Sequence, residues 1–188
     1  LMFGDFNLQH FLFSMVALTI CFTIHEFAHA YSAYRAGDDT AKQMGRVSLN
    51  PIDHLDPFGT IMMVMSSIAG FGIGWGKPVP VNPHRMRRPR WDNLMVSLWG
   101  PLSNLLTALV VGTVLRFGSE AMMRHASPLA VNGEMLLFYI TMISITLAIF
   151  NLIPVPPLDG SHILSALLPY EAAVRYGRFV GQYGMLMF

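Results

Sequence analysis

The chain has 188 residues, of which 53% are apolar and only 12% charged, against roughly 25% charged in ordinary globular domains. Twelve Lys and Arg against eleven Asp and Glu leave a formal net charge of +1. So much apolar surface excludes a disordered chain. The lack of net basic charge argues against a nucleic-acid binder, and a single cysteine, Cys21, excludes a disulfide framework or a Cys-rich zinc module.

The first long apolar stretch runs from Leu8 to Tyr34 and is ended by Arg35 and Gly37, which predicts a helix over 8–36. A bilayer span takes about 20 residues at 1.5 Å rise, so this helix is long enough to cross. No basic region with a small-residue cleavage site precedes it, so it reads as a retained span rather than a signal peptide. Near its end stands His25-Glu26-Phe27-Ala28-His29. Residues four apart share a helix face. Both imidazoles can therefore bind one zinc ion, with Glu26 in reach of a zinc-activated water as general base. H-E-x-x-H also arises by chance in soluble helices. Inside a span, however, a central charge costs roughly 2.5–3.5 kcal/mol, and residues kept there face the interior and act. The metal reading, one Zn2+ per chain, is therefore preferred.

Residues 37–91 follow as one long loop. Within it the apolar run from Thr60 to Gly70 is only about eleven residues and gives way to Gly72, Gly74 and Gly76. A run of 10–14 fits a re-entrant segment, here about 59–74, better than a span. The loop carries Lys42, Arg46, Lys77, Arg85, Arg87, Arg88 and Arg90, whereas the later loop 118–133 has Arg124 as its only Lys or Arg. The positive-inside rule makes the 37–91 side cytoplasmic. The cluster at 85–90 reads first as this topological anchor, and second as a contact for anionic lipid heads.

The second and third spans are expected over 92–117 and 134–153. The third is broken by Asn151-Leu-Ile-Pro154-Val-Pro156-Pro157-Leu158-Asp159-Gly160. Three prolines in four positions end a helix. Irregular backbone at membrane depth is tolerated only where it is buried in protein or lines a wet cavity, so the break marks a site. Asp159 has two readings: N-cap of a short helix 161–168, or the third protein ligand that two histidines and a water lack in a tetrahedral site. The histidine motif favours the ligand, and Gly160 permits close backbone approach. Chain parity agrees. If 59–74 turns back, the third helix returns to the face where the first ended, and Asp159 reaches the depth of His25. A last apolar segment, 174–188, reads as the start of a fourth span. The expected fold is an all-α polytopic membrane protein with three full transmembrane helices and a truncated fourth. A re-entrant segment and short extended strands lie on its cytoplasmic side, and the whole forms one core over 1–188.

H-E-x-x-H in one span with N-x-x-P-x-x-x-L-D-G after a later one resembles the site-2 protease family of intramembrane zinc metalloproteases. Gly100-Pro101-Leu-Ser-Asn104 matches a third family element. Gly45-Arg-Val-Ser-Leu-Asn-Pro51, His54-Leu-Asp-Pro57 and Lys77-Pro-Val-Pro-Val-Asn-Pro83 look like the compact bacterial and archaeal members without a PDZ domain. The resemblance covers about residues 20–165. It implies that His25, His29 and Asp159 bind zinc, that Glu26 activates water, and that Asn151 hydrogen-bonds the substrate carbonyl or oxyanion. It also implies a single-pass transmembrane protein or signal-peptide remnant as substrate, in the cytoplasmic membrane of a bacterium or archaeon, with the active site near the cytoplasmic face.

Other residues carry paired readings. Pro78-Val79-Pro80-Val81 is extended, since alternating prolines exclude helix. It is either a plain loop or an edge for an unwound substrate backbone. His54 is either an accessory or regulatory zinc ligand, or a loop histidine bonded to nearby backbone. His162, three residues past Asp159, reads as packing before support of a ligand. His84 carries less signal, and His10 and His125 fall near the outer face. Gly100, Pro101 and Asn104 read as helix packing, a kink and an interhelical hydrogen bond. A metal transporter would need ionisable sites along a path across the membrane, and the chain offers one cluster near one face. A catalytically dead scaffold would not need Glu26.

Overall fold

The computed structural model describes residues 7–68, 74–124 and 127–183. Helix α1, Leu8–Ala36, is N-capped by the Asn7 side chain, which accepts from the N–H groups of Gln9 and His10, and is C-capped by Gly37. A single turn, α2 (Thr40–Gln43), leads to α3 (Pro57–Ile68). After a chain segment through Pro83 come α4 (Pro89–Arg124), α5 (Pro128–Asn151), α6 (Asp159–Leu167) and α7 (Tyr170–Tyr183).

Three helices are long and apolar enough to cross a membrane: α1, α4 as far as Ser119, and α5. They pack on one another as a three-helix bundle, with α6 folded back against α4. The three full spans expected all have counterparts. The second starts earlier than residue 92, at Pro89, whose fixed φ suits a first helical position. The third stops at Asn151 rather than 153. Pro154 has no N–H for a fourth-preceding carbonyl and restricts the residue before it.

Midway along the bundle, Ala17, Cys21 and Ile140 are buried against Ile20, Val111 and Leu147. Small side chains let helix backbones approach closely, which is how spans gain packing energy in lipid. At the other level Ala33, Met86 and Val96 form a second cluster with Val81, seating the segment before α4 against α1.

Three further expectations are not confirmed by the described residues. The described part of the proposed re-entrant segment is α3, twelve residues and so roughly 18 Å long, too short to cross; residues 69–73 lie outside the described residues. No strand forms among the described residues, contrary to the short strands expected. A single antiparallel bridge joins Leu55 and Gly76. The reason is local: Pro78, Pro80 and Pro83 supply no N–H, while the N–H groups of Val79 and Asn82 donate to the carboxylates of Glu26 and Asp38. Lastly, α7 has fourteen described residues, about 21 Å, and carries Glu171, Arg175 and Arg178, so it is not among the spanning helices. The rest of the expected fourth span, 184–188, lies outside the described residues, as does His125.

Candidate active site

The H-E-x-x-H segment lies seven residues before the end of α1, and its helical spacing brings the two rings together. His25 Nε2 and His29 Nε2 are 3.0 Å apart, and both residues are buried. Each ring is held from behind by α4. His29 Nδ1 donates to the Val96 carbonyl at 2.8 Å. His25 Nδ1 meets the side-chain amide of Asn104 at 3.1 Å. Pro101, inside α4, has no N–H for the Ser97 carbonyl. Gly100 makes room for the rings. A Cβ there would lie 2.3 Å from His29 Nε2 and 2.8 Å from His25 Cε1, so any larger residue collides with the ligands.

Asp159 completes the cluster. It is the first residue of α6 and its side chain makes no capping bond. Instead Oδ1 lies 3.2 Å from His29 Nε2 and Oδ2 lies 3.2 Å from His25 Nε2. Two contacts set this position. Gly160 packs against the end of α5, where a Cβ would come within 2.3 Å of the Leu152 carbonyl oxygen. At the far end of α6, Arg90 of α4 donates from Nε to Ala166 O at 2.8 Å and from Nη2 to Leu168 O at 2.7 Å, closing the helix C-terminus. Arg90 thus ties the third candidate ligand to the helix that backs the other two.

The donor set fits a zinc ion. The ligand atoms of His25, His29 and Asp159 all lie within 4.8 Å of one another. Zinc bonds of about 2.0–2.1 Å in a tetrahedron put ligand atoms roughly 3.3 Å apart, close to the 3.0 and 3.2 Å found here. Asp159 Oδ2 is buried and makes no hydrogen bond. A buried carboxylate oxygen facing imidazole nitrogens in an apolar bundle calls for a cation. Two imidazoles and one carboxylate, with a fourth position free, is the ligand number of a catalytic rather than a structural zinc site.

These groups open onto a cavity of about 420 Å³, which Glu26, Asn151, Pro78, Val79, Val81, Asn93, Ser97 and His162 also line. Glu26 is buried and its Oε2 accepts from the Val79 N–H at 3.0 Å, which fixes the carboxylate. Asn151 donates from Nδ2 to Leu147 O at 3.0 Å, leaving one amide hydrogen for another acceptor.

A zinc-fitted cluster on H-E-x-x-H and L-D-G, set in spanning helices, can be compared with known proteins. A model of peptidase family M50 matches residues 117–187. YwhC of Bacillus subtilis, named by inference as a zinc metalloprotease, is 39% identical over 174 residues, 93% of this chain and 77% of its own length. The chain belongs to peptidase family M50, the site-2 protease family. Rip2 of Mycolicibacterium smegmatis, likewise named by inference, is 32% identical over 76% of this chain and 51% of its own length, so this chain spans about half of that relative. The zinc metalloprotease MJ0392 of Methanocaldococcus jannaschii is 26% identical over 81% of this chain and 33% of its own length. No solved structure matches the chain. M50 membership makes this a zinc metalloprotease, and with three helices fit to span, a membrane protein.

Other candidates are placed differently. Of the extended segment, Pro78, Val79 and Val81 line the cavity of the M50 site, and Pro80 does not. His54 lies away from that cavity: it is fully buried, its Nε2 donates to Ser48 O at 2.7 Å, and its backbone carbonyl accepts from Lys77 N–H. That is the loop-histidine reading. His10 bonds Tyr139 Oη at 2.7 Å, joining α1 to α5. The arginine cluster is engaged within the protein: Arg85 with Asp39, Arg88 with Asp92, and Arg90 with α6. Asn93, Ser97, Gly100 and Asn104 were not joined by sequence reasoning, although their spacing of four, three and four marks one face of α4.

Proposed function

We propose that the chain is an intramembrane endopeptidase that hydrolyses a peptide bond in a transmembrane helix of a membrane-anchored substrate, such as a single-pass protein or a signal-peptide remnant. The observation that carries this is the meeting of His25, His29, Asp159 and Glu26 at one cavity inside a bundle of spanning helices. His25, His29 and Asp159 would hold the zinc, which would supply a water with its pKa lowered to about 7 and a Lewis acid for the scissile carbonyl. Glu26, held by the Val79 N–H, accepts the proton of the attacking water and passes it to the leaving amine. The second amide hydrogen of Asn151 donates to the substrate carbonyl oxygen as negative charge develops there.

The basic residues at 42–90 favour a cytoplasmic face for this end of the bundle, so water reaches the site from the cytoplasm. On this reading α3 and the residues after it form the re-entrant segment beside the site, and the 78–81 segment meets the unwound substrate. A helical substrate must be unwound first, because its carbonyls and amides are paired within the helix.

The test is cleavage of a single-pass model substrate in proteoliposomes, with zinc content measured on the same preparations. Glu26→Gln keeps its zinc and loses about 10²–10⁴-fold in cleavage rate. Asp159→Asn loses zinc and cleavage together. Cleavage at the parent rate by Glu26→Gln would sink the proposed mechanism, and full zinc content in Asp159→Asn would remove the third ligand.

A further inference from the structure

The two ring nitrogens that face away from the metal side are held by partners of different kinds. His29 Nδ1 faces the Val96 carbonyl, which can only accept, so this nitrogen carries the proton and Nε2 is bare. His25 Nδ1 faces Asn104, whose amide can either donate or accept. Asn104 is completely buried on α4, one turn past Gly100. Here its Nδ2 donates to His25 Nδ1 at 3.1 Å, and its own Oδ1 is buried with no partner. A proton donated to Nδ1 puts the His25 hydrogen on Nε2, the atom that faces His29 Nε2 and Asp159 Oδ2. That nitrogen cannot then bind a cation.

A half-turn of the amide removes both difficulties. Its oxygen and nitrogen have nearly the same shape, so the exchange needs no new space. Oδ1 then accepts from His25 Nδ1–H, the orphaned oxygen is satisfied, and Nε2 is freed for the metal. A metal-bound histidine ordinarily donates its other N–H to such an acceptor, which fixes ring orientation and raises ligand basicity.

We propose that Asn104 is a positioning residue for the zinc site: its side-chain oxygen accepts the Nδ1 proton of His25, which leaves Nε2 free for the metal. The proposal rests on His25, His29 and Asp159 being the zinc ligands. One ligand is thereby oriented by a backbone carbonyl and the other by a side-chain amide.

The experiment titrates zinc into the metal-stripped full chain in detergent against a chromophoric chelator, using the parent, His25→Ala, Asn104→Leu and Asn104→Asp. Asn104→Leu matches the side chain in size and lacks an acceptor, so its zinc affinity falls about 10–100-fold. Asn104→Asp offers a permanent acceptor and stays within about threefold of the parent. A packing role reverses this order, because leucine suits an apolar span and a carboxylate does not. Parent-like zinc binding by Asn104→Leu, or an Asn104→Asp as weak as Asn104→Leu, overturns the proposal. Parent-like binding by His25→Ala overturns instead the ligand assignment beneath it. Histidine 15N NMR of the parent reads the tautomer with no variant at all. In the zinc-bound parent, a His25 Nδ1–H hydrogen-bonded to the Asn104 carbonyl supports the proposal, and a His25 Nδ1–H with no such bond refutes it.

Discussion

At the level of Cys21 the three spans meet through small and aliphatic groups, Ala17, Cys21 and Ile140, with Ser144 Oγ 3.1 Å from the cysteine sulfur. One helical turn further along α1, at His25, the same three spans meet through imidazoles, an amide and a carboxylate delivered from beyond α5. The first level holds the helices together mainly by apolar contact, with one cysteine–serine hydrogen bond between α1 and α5. At the second level His25, His29 and Glu26 each meet a partner on another element, and two glycines leave the room: Gly100 under the rings and Gly160 against the end of α5. The bundle therefore separates a region that sets stability from a region that sets chemistry, although only one turn divides them.

Gly100→Ala tests that separation most severely. Its Cβ would lie 2.3 Å from His29 Nε2, and the backbone of α4 cannot retreat without disturbing Val96 and Asn104. Misplacing a reacting group by about 1 Å costs on the order of 10²-fold, so zinc affinity and cleavage both fall by about that factor while the thermal midpoint changes little. A midpoint that drops with unchanged zinc affinity would place Gly100 in the packing region instead.

Ile140→Ala sharpens the opposite side. In lipid the transfer term of a lost side chain nearly vanishes, because lipid is as apolar as the bundle interior. The cavity term remains, and a loss of about 1–2 kcal/mol is expected, at the low end for core truncations. Zinc stoichiometry stays at one per chain, as metal analysis of the purified variant would show. Loss of zinc here would mean that the two levels are coupled.

The smallest effect belongs to Asp38, which latches the extended segment over the site. Its carboxylate is buried and accepts from Thr40 N–H, the Thr40 hydroxyl and Asn82 N–H. Burial pushes this carboxyl up, but the bonds from Thr40 and Asn82, with the charge of Arg85, outweigh it and hold the group below its ordinary value. The stabilisation is therefore fully present above the unfolded pKa near 3.9 and is lost as pH falls through the lower folded value. Asp38→Asn costs about 1 kcal/mol at pH 7 by thermal unfolding, and the difference from the parent shrinks only below about pH 4. A difference that already disappears between pH 7 and pH 5 would show that the latch is not this carboxylate.

Much of this was legible beforehand because it depends on local spacing. Residues four apart on a helix must share a face, so His25 and His29 had to converge. Parity then brought Asp159 to the same end, once the 59–74 run was judged too short to cross. The extended 78–83 segment followed from its prolines. The strands expected there did not, because the same prolines deny a ladder its donors, and the N–H groups of Val79 and Asn82 found carboxylates on α1 and its following loop. The arginine cluster at 85–90 was legible as charge, whereas the grip of Arg90 on the α6 carbonyls was not.

The amino-acid sequence by itself determined the three full spans, the histidine pair on one face of α1, the broken backbone before Asp159 and the kinship that these motifs carry. Each of these follows from periodicity, from the cost of a polar group in an apolar run, or from the geometry of proline. The tertiary structure alone decided what stands behind the ligands: Val96 and Asn104 against the two rings, Val79 against Glu26, and Arg90 against α6. Those partners lie 53 to 79 positions away in the chain. Their meeting depends on how the helices pack, and no local pattern encodes that.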